Sequence, residues 1–167
     1  MINIQRLQEL FIADPNAGCL ICRKEFGRRK VGEIIKSSTR KNSYRLLLVD
    51  NKCISLHRAL WLMCKGGIDN DLVVDHINGD SRDNRINNLR LCTKFENAAN
   101  RRIHINNKSG LKGVYFDKTG SISKPWRAQI QFNGKKIRLG RHLTAEDAHK
   151  AYLKASEEIH GRFCRPD

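Results

Sequence analysis

Asp75 and His76 stand side by side at the end of an otherwise apolar run, Leu72-Val73-Val74-Asp75-His76-Ile77. A buried strand is an unusual place for an acid and an imidazole, because polar groups there must find partners or destabilise the fold. Two amides accompany them. Asn88 opens the next apolar run, Leu89-Arg90-Leu91-Cys92, and Asn97 lies one turn into the helix expected after Thr93. An imidazole exchanges a proton near neutral pH. Carboxylate and amide oxygens are hard donors of the kind that hold divalent cations. For any one of the four, a satisfied polar side chain in a loop is a sufficient explanation. Taken together with the residues around them, the four point to a site.

The elements that would position them are strand, long loop, strand and helix. The loop, Asn78-Gly79-Asp80-Ser81-Arg82-Asp83-Asn84, is dense in turn formers. Thr93 can cap a helix over 94–100, with Glu96 in its first turn. Upstream, Ile4, Leu7, Leu10 and Phe11 have helical spacing over residues 3–12, and residues 19–22 read as a strand after an Asp14-Pro15-Asn16-Ala17-Gly18 turn. Residues 23–43 are polar and read as a loop. Residues 44–49 and 53–56 read as strands around an Asp50-Asn51-Lys52 turn, and 57–65 as a helix ended by Gly66-Gly67. Residues 101–108 have no apolar period and read as a linker.

The last third has its own pattern. Gly113-Val114-Tyr115-Phe116 is a strand, and Trp126 to Phe132 alternates apolar and polar residues. Asn133-Gly134 is the strongest short hairpin signal, and 135–140 alternates again. Thr144 with Asp147 three residues on opens a helix whose apolar stripe is Ala145, Ala148, Ala151, Tyr152, Ala155 and Ile159. Arg127, Gln129 and Gln131 share one strand face, and Lys136 and Arg138 can join them. Arg and Gln can read base edges, while Lys mostly meets phosphate.

His57-Arg58-Ala59-Leu60-Trp61, Val73 to Asp80, Asp83-Asn84-Arg85, Asn88-Leu89-Arg90-Leu91 and Glu96-Asn97 together resemble an HNH endonuclease, more narrowly the HNH homing endonucleases of phages and their introns. The resemblance implies a ββα-metal fold at about 72–100. It implies His76 as the general base that deprotonates a water, Asp75 and Asn97 as ligands of one divalent cation, and Asn88 as the residue that holds the loop and orients His76. Asn97 replaces the last histidine of many such enzymes, which fits Mg²⁺ (or Mn²⁺) rather than zinc. Arg90 could neutralise a phosphate. His57, at a helix start, is left outside the core set.

Residues 109–163 resemble the apetala-two (ethylene-response-factor) DNA-binding domain, through Lys112-Gly113-Val114-Tyr115, Trp126 to Ile130, Gly134 to Gly140 and Thr144 to Ala148. That resemblance implies a sheet laid in the major groove, with Lys112, Tyr115, Gln129, Gln131, Lys136 and Arg138 at contact positions and Arg127 on the same face. The expected fold class is therefore α+β: a nuclease region at 1–100, a linker at 101–108, and a three-stranded antiparallel sheet packed on one helix at 109–167.

Charge and composition bound the rest. The 167 residues carry 32 Lys+Arg and 17 Asp+Glu, a net charge of +15. Residues 1–50, 51–108 and 109–167 carry +5, +4 and +6, so no basic tail holds the excess. A polyanion is the natural partner. Asp69, Asp71, Asp75, Asp80 and Asp83 are the exception, and acids at that density oppose DNA unless a cation intervenes. No run approaches the roughly 18–20 apolar residues of a membrane span, and no secretory signal is visible, so a cytoplasmic protein of a phage-infected cell is expected. Cys19-x-x-Cys22 is half a zinc motif without an evident second half, and Cys53, Cys64, Cys92 and Cys164 are scattered, so reduced thiols are favoured over a structural zinc site. The expected partner is double-stranded DNA, engaged by a monomer. A DNA-binding regulator that does not cut is the alternative.

Overall fold

The computed structural model describes residues 3–38, 43–100, 103, 106–117 and 123–163. Cys164 and much of the 101–108 stretch, His104 included, lie outside the described residues. The chain forms two compact units, Met1–Cys92 and Thr93–Asp167.

In the first unit, α1 (Ile4–Leu10) is capped by Asn3, whose side chain accepts from the Gln5 amide. The helical spacing extends to Phe11, but the helix stops one residue earlier. Phe11 is extended and fully buried, pairs with Cys22, and meets Phe26 edge-on at 5.3 Å. Cross-strand pairing and aromatic burial thus override helical periodicity there. Strand β1 (Phe11–Asp14) pairs with β2 (Cys19–Cys22), which pairs in turn with β3 (Ile34–Ile35). The 23–43 stretch, read as a loop, contains β3, a two-residue strand too short to leave a periodic signal.

Strands β4 (Leu46–Val49) and β5 (Lys52–Ser55) form a hairpin whose Asp50 and Asn51 both have positive φ, 48° and 60°. That is the turn geometry matched to strand twist. Helix α2 (Leu56–Lys65) follows directly and buries Leu56, His57, Ala59 and Leu60. Leu7, Phe11, Leu20, Leu47, Val49 and Leu60 come together in one core, each side chain contributing about 2 kcal/mol by leaving water. Strand β6 (Leu72–His76) pairs with β7 (Leu89–Thr93). The Ile77 amide donates to the Asn88 carbonyl at 2.8 Å, and the Cys92 thiol lies 3.8 Å from the Val73 carbonyl. These contacts run in opposite chain directions, so the pair is antiparallel.

The second unit begins with α3 (Lys94–Ala99), closed by a reciprocal capping box between Thr93 and Glu96. Strands β8 (Val114–Phe116), β9 (Trp126–Phe132) and β10 (Lys135–His142) form an antiparallel sheet with β9 in the middle. Helix α4 (Ala145–His160) is capped by Thr144, and its Ala145 and Ala148 share a buried cluster with Val114 and Ala128. The buried positions continue as Tyr152, Ser156 and His160, in successive steps of four residues from Ala148, while the expected Ala155 and Ile159 are half-buried beside them. Gly113, at φ +73°, lies directly under the Tyr152 ring, where any Cβ would collide.

Candidate active site and nucleic-acid face

The β6–β7 pair delivers the first group of side chains. Asp75 and His76, at the C-terminal end of β6, are 7% and 4% exposed. The His76 Nε2–H donates to Asn84 Oδ1 at 2.8 Å. With that proton on Nε2, Nδ1 is the nitrogen that can accept one. The Asp75 carboxylate accepts from Arg90 Nε and Nη2 at 3.1 and 3.0 Å, and both side chains are largely buried. Such charge-assisted bonds fix the orientation of the carboxylate.

Asn88 ties the loop together. Its amide nitrogen donates to the Asp83 carbonyl at 2.7 Å and to Asn78 Oδ1 at 3.0 Å, and its Oδ1 accepts from the Asn78 backbone at 3.1 Å. Asn84 Oδ1 accepts a hydrogen bond directly from the His76 ring. Asn84 is itself buried, and the Asp14–Gly18 turn lies against its backbone. Asp14 Oδ1 accepts from the Asn16 and Ala17 amides, and the Pro15 carbonyl accepts from Ile86 N at 2.9 Å. An N-terminal turn thus buttresses the loop that holds the histidine.

Two further rings surround His76. His57, 7% exposed, lies edge-on at 5.0 Å, and Tyr44 lies nearly parallel to it at 6.1 Å with an interplanar angle of 18°. Tyr44 and His57 are 4.8 Å apart. Ser55, at the N-cap of α2, makes no capping bond, and its hydroxyl instead pairs with His57 Nε2 at 3.3 Å. Burial pushes the His57 pKa down to about 3, helped by the neighbouring His76 and Arg58.

The acids around the loop have local partners. Asp80 pairs with Arg82, Asp83 with Arg85 and Asp75 with Arg90. The Arg85 hydrogen bond holds the Asp83 carboxyl below the usual carboxylate range. Arginines on the same loop and on the paired strand β7 therefore offset much of the acidity that, in the sequence alone, calls for a cation.

As to a metal, Asp75 supplies a buried carboxylate oxygen, the type of donor a hard divalent ion prefers. Among the described residues, no group of three or more His, Cys, Asp or Glu is arranged to hold a metal ion. Asn97, the other expected ligand, is half-buried on α3 in the second unit. Cys19 and Cys22 are buried free thiols on β2, and burial pushes both up.

The sheet of the second unit carries the other expected residues. Tyr115 pairs with Arg127, Gln129 with Arg138, and Gln131 with Lys136. Directly paired residues lie on one face, so these six share a face opposite Ala128 and Ile130. Tyr115, Gln131, Lys136 and Arg138 are exposed, and Arg127 and Gln129 half-buried. The Lys112 ammonium donates to the Ala99 carbonyl at 2.6 Å.

Sequence reading misses Arg141. Strict alternation from Lys136 and Arg138 turns it to the other face, but the register shifts between Arg138 and Gly140, so Arg141 stands opposite Arg127. Asp117 bridges both guanidinium groups, at 2.6 Å to Arg141 and 3.8 Å to Arg127. Asn84 is visible within Asp83-Asn84-Arg85 but reads as a turn former. Tyr44 carries no signal, since it lies 32 positions before His76.

An acid–histidine pair closing one strand of a short antiparallel pair, with an amide-rich loop between the strands, is the arrangement of a nuclease of the HNH class, and residues 55–99 match the HNH endonuclease family model. The chain carries that domain and belongs to a family that includes Protein 3.8 of Escherichia phage T7, to which it is 30% identical over 109 residues, 65% of this chain and 87% of that one. It is also 30% identical over 115 residues to an uncharacterized HNH endonuclease of Acanthamoeba polyphaga mimivirus, 68% of this chain but 57% of the viral protein's length. No solved structure matches the chain significantly. No helix among the described residues is long and apolar enough to cross a membrane.

Proposed function

We propose that this chain is a divalent-metal-dependent endonuclease that hydrolyses phosphodiester bonds in double-stranded DNA at a recognised site, in the manner of the homing endonucleases. The observation that carries the reading is His76, buried at a strand end with Nε2–H donated to Asn84 at 2.8 Å, inside the segment that matches the HNH family. Nδ1 of His76 takes the proton of the attacking water, and the Asn84 bond holds the ring in the tautomer that makes this possible. Asp75, oriented by Arg90, is the residue of the first unit that would hold the cation. A bound Mg²⁺ or Mn²⁺ would neutralise charge developing on the phosphate and the leaving 3′-oxygen. Asn88 keeps the loop closed so that Asn84 stays in register with His76.

In this reading residues 1–100 form the nuclease region and 109–167 a DNA-reading module. The row of Tyr115, Arg127, Gln129, Gln131, Lys136 and Arg138 faces the duplex, and Arg141 joins it through its place opposite Arg127. Tethering the two raises the effective concentration of the nuclease at its site, so a single chain suffices on DNA. The test is plasmid cleavage with Mg²⁺ by wild type and His76→Ala. Cutting by wild type and none by the variant is expected, and equal cutting rejects His76 as the base. Specific DNA binding without metal-dependent cutting would favour a regulator.

A further inference from the structure

The Asn84 hydrogen bond anchors the His76 ring at Nε2. A hydrogen bond of this kind fixes a direction better than it fixes a plane, and the aim of the Nδ1 lone pair depends on the plane. We infer that Tyr44, together with His57, is a positioning residue for His76, the two rings fixing the plane of the imidazole. The inference rests on the reading of His76 as the base.

The geometry supports it from both sides. Tyr44 lies 18° from parallel to His76 at 6.1 Å, and His57 meets it edge-on at 5.0 Å. Both are favoured aromatic arrangements. Tyr44 is 52% exposed and does not belong to the hydrophobic core, so general packing does not account for its place. Its backbone is held all the same. The next residue, Arg45, accepts from the Leu56 amide at 2.8 Å through its carbonyl and donates from Nε to the Lys36 carbonyl at 3.2 Å. This brings the start of the β4 segment to the N-terminus of α2, where Ser55 holds His57. His57 stays uncharged at working pH, so it acts on His76 as a wall and not as a second cation.

Single-turnover cleavage of a DNA substrate with Mg²⁺ tests this, with DNA affinity measured in parallel. Tyr44→Leu is expected to lower the cleavage rate about tenfold, within the range that misplacing a reacting group produces, while leaving the affinity unchanged. Tyr44→Phe, which keeps the ring, is expected to cut at the wild-type rate. In NMR spectra the His76 Hε1 resonance should lose its ring-current shift in Tyr44→Leu and keep it in Tyr44→Phe. A Tyr44→Leu protein that cuts at the wild-type rate overturns the inference. So does a loss of DNA affinity shared by the Leu and Phe variants, which makes the hydroxyl a DNA contact instead. If His76→Ala cuts like wild type, the parent reading falls and the positioning role falls with it. If His76→Ala is inactive while Tyr44→Leu cuts normally, only the positioning role falls.

Discussion

Gly18 and Gly27 share a backbone conformation, φ +66° and +61°, and differ in what surrounds them. A Cβ on Gly27 would meet nothing within 4 Å, whereas one on Gly18 would sit 2.6 Å from both the Asn84 carbonyl carbon and the Arg85 nitrogen. Replacing each by alanine separates two effects. Gly27→Ala carries the left-handed penalty alone, about 1 kcal/mol. Gly18→Ala adds an overlap with backbone, for which overpacking costs about 1–3 kcal/mol more. Ordinary contact begins at 3.4 Å, so the Asn84 backbone must retreat by about 0.8 Å. A retreat of that size lengthens the 2.8 Å bond from His76 to at most about 3.6 Å, beyond hydrogen-bonding distance. Cleavage should then fall by up to about 10²-fold, the scale set by a misplacement of this size, while Gly27→Ala cuts normally. Urea unfolding followed by Trp61 fluorescence in a Trp126→Phe background reports the first unit, since these are the chain's two tryptophans. Equal destabilisation of the two variants, or wild-type cutting by Gly18→Ala, refutes the docking of the Asp14–Gly18 turn on the Asn84 loop.

Acid should weaken the first unit through His57. This residue stays neutral when folded down to about pH 3 but binds a proton near pH 6.5 when unfolded. The unfolded state therefore holds more protons between those values, and stability drops as pH falls from 6.5. Between pH 7.5 and 4.5 the loss should be about 3 kcal/mol, and His57→Gln should flatten it in urea melts; parallel slopes count against this burial. Arg90→Ala takes the guanidinium from the buried Asp75 carboxylate and should destabilise by about 3–5 kcal/mol, while Arg82→Ala, at the exposed Asp80 pair, should cost under about 1 kcal/mol; urea melts that rank the two the other way refute the buried pair. Arg127→Ala and Arg141→Ala should each weaken DNA binding, and for each phosphate no longer neutralised the slope of log K against log salt should become shallower by about 0.9. An Arg141→Ala protein with unchanged affinity and slope removes that residue from the binding face.

Much of this molecule can be read from its residues one stretch at a time. The alternation from Trp126 to Phe132, the Asn133-Gly134 turn, the Thr93–Glu96 cap and the short strands ending in His76 and starting at Leu89 are local patterns, and the structure repeats them. Local pattern fails where a distant partner overrides it. Phe11 leaves its helix for Cys22, and Ile34–Ile35 becomes a strand because Leu20–Ile21 offers an edge.

The sequence by itself determined the chemistry on offer: an Asp75–His76 pair in an apolar strand, amides in and after the following loop, and a basic excess spread along the chain. These depend on residue type and short spacing, which a linear reading sees. Only the tertiary structure decided which groups meet. It gave His76 to Asn84, turned Arg90 onto Asp75, and set the Tyr44 and His57 rings against the imidazole. It also moved Arg141 to the Arg127 face through one register shift. Each of these outcomes depends on loop closure, close packing or strand register, where a displacement of one residue reverses a side chain.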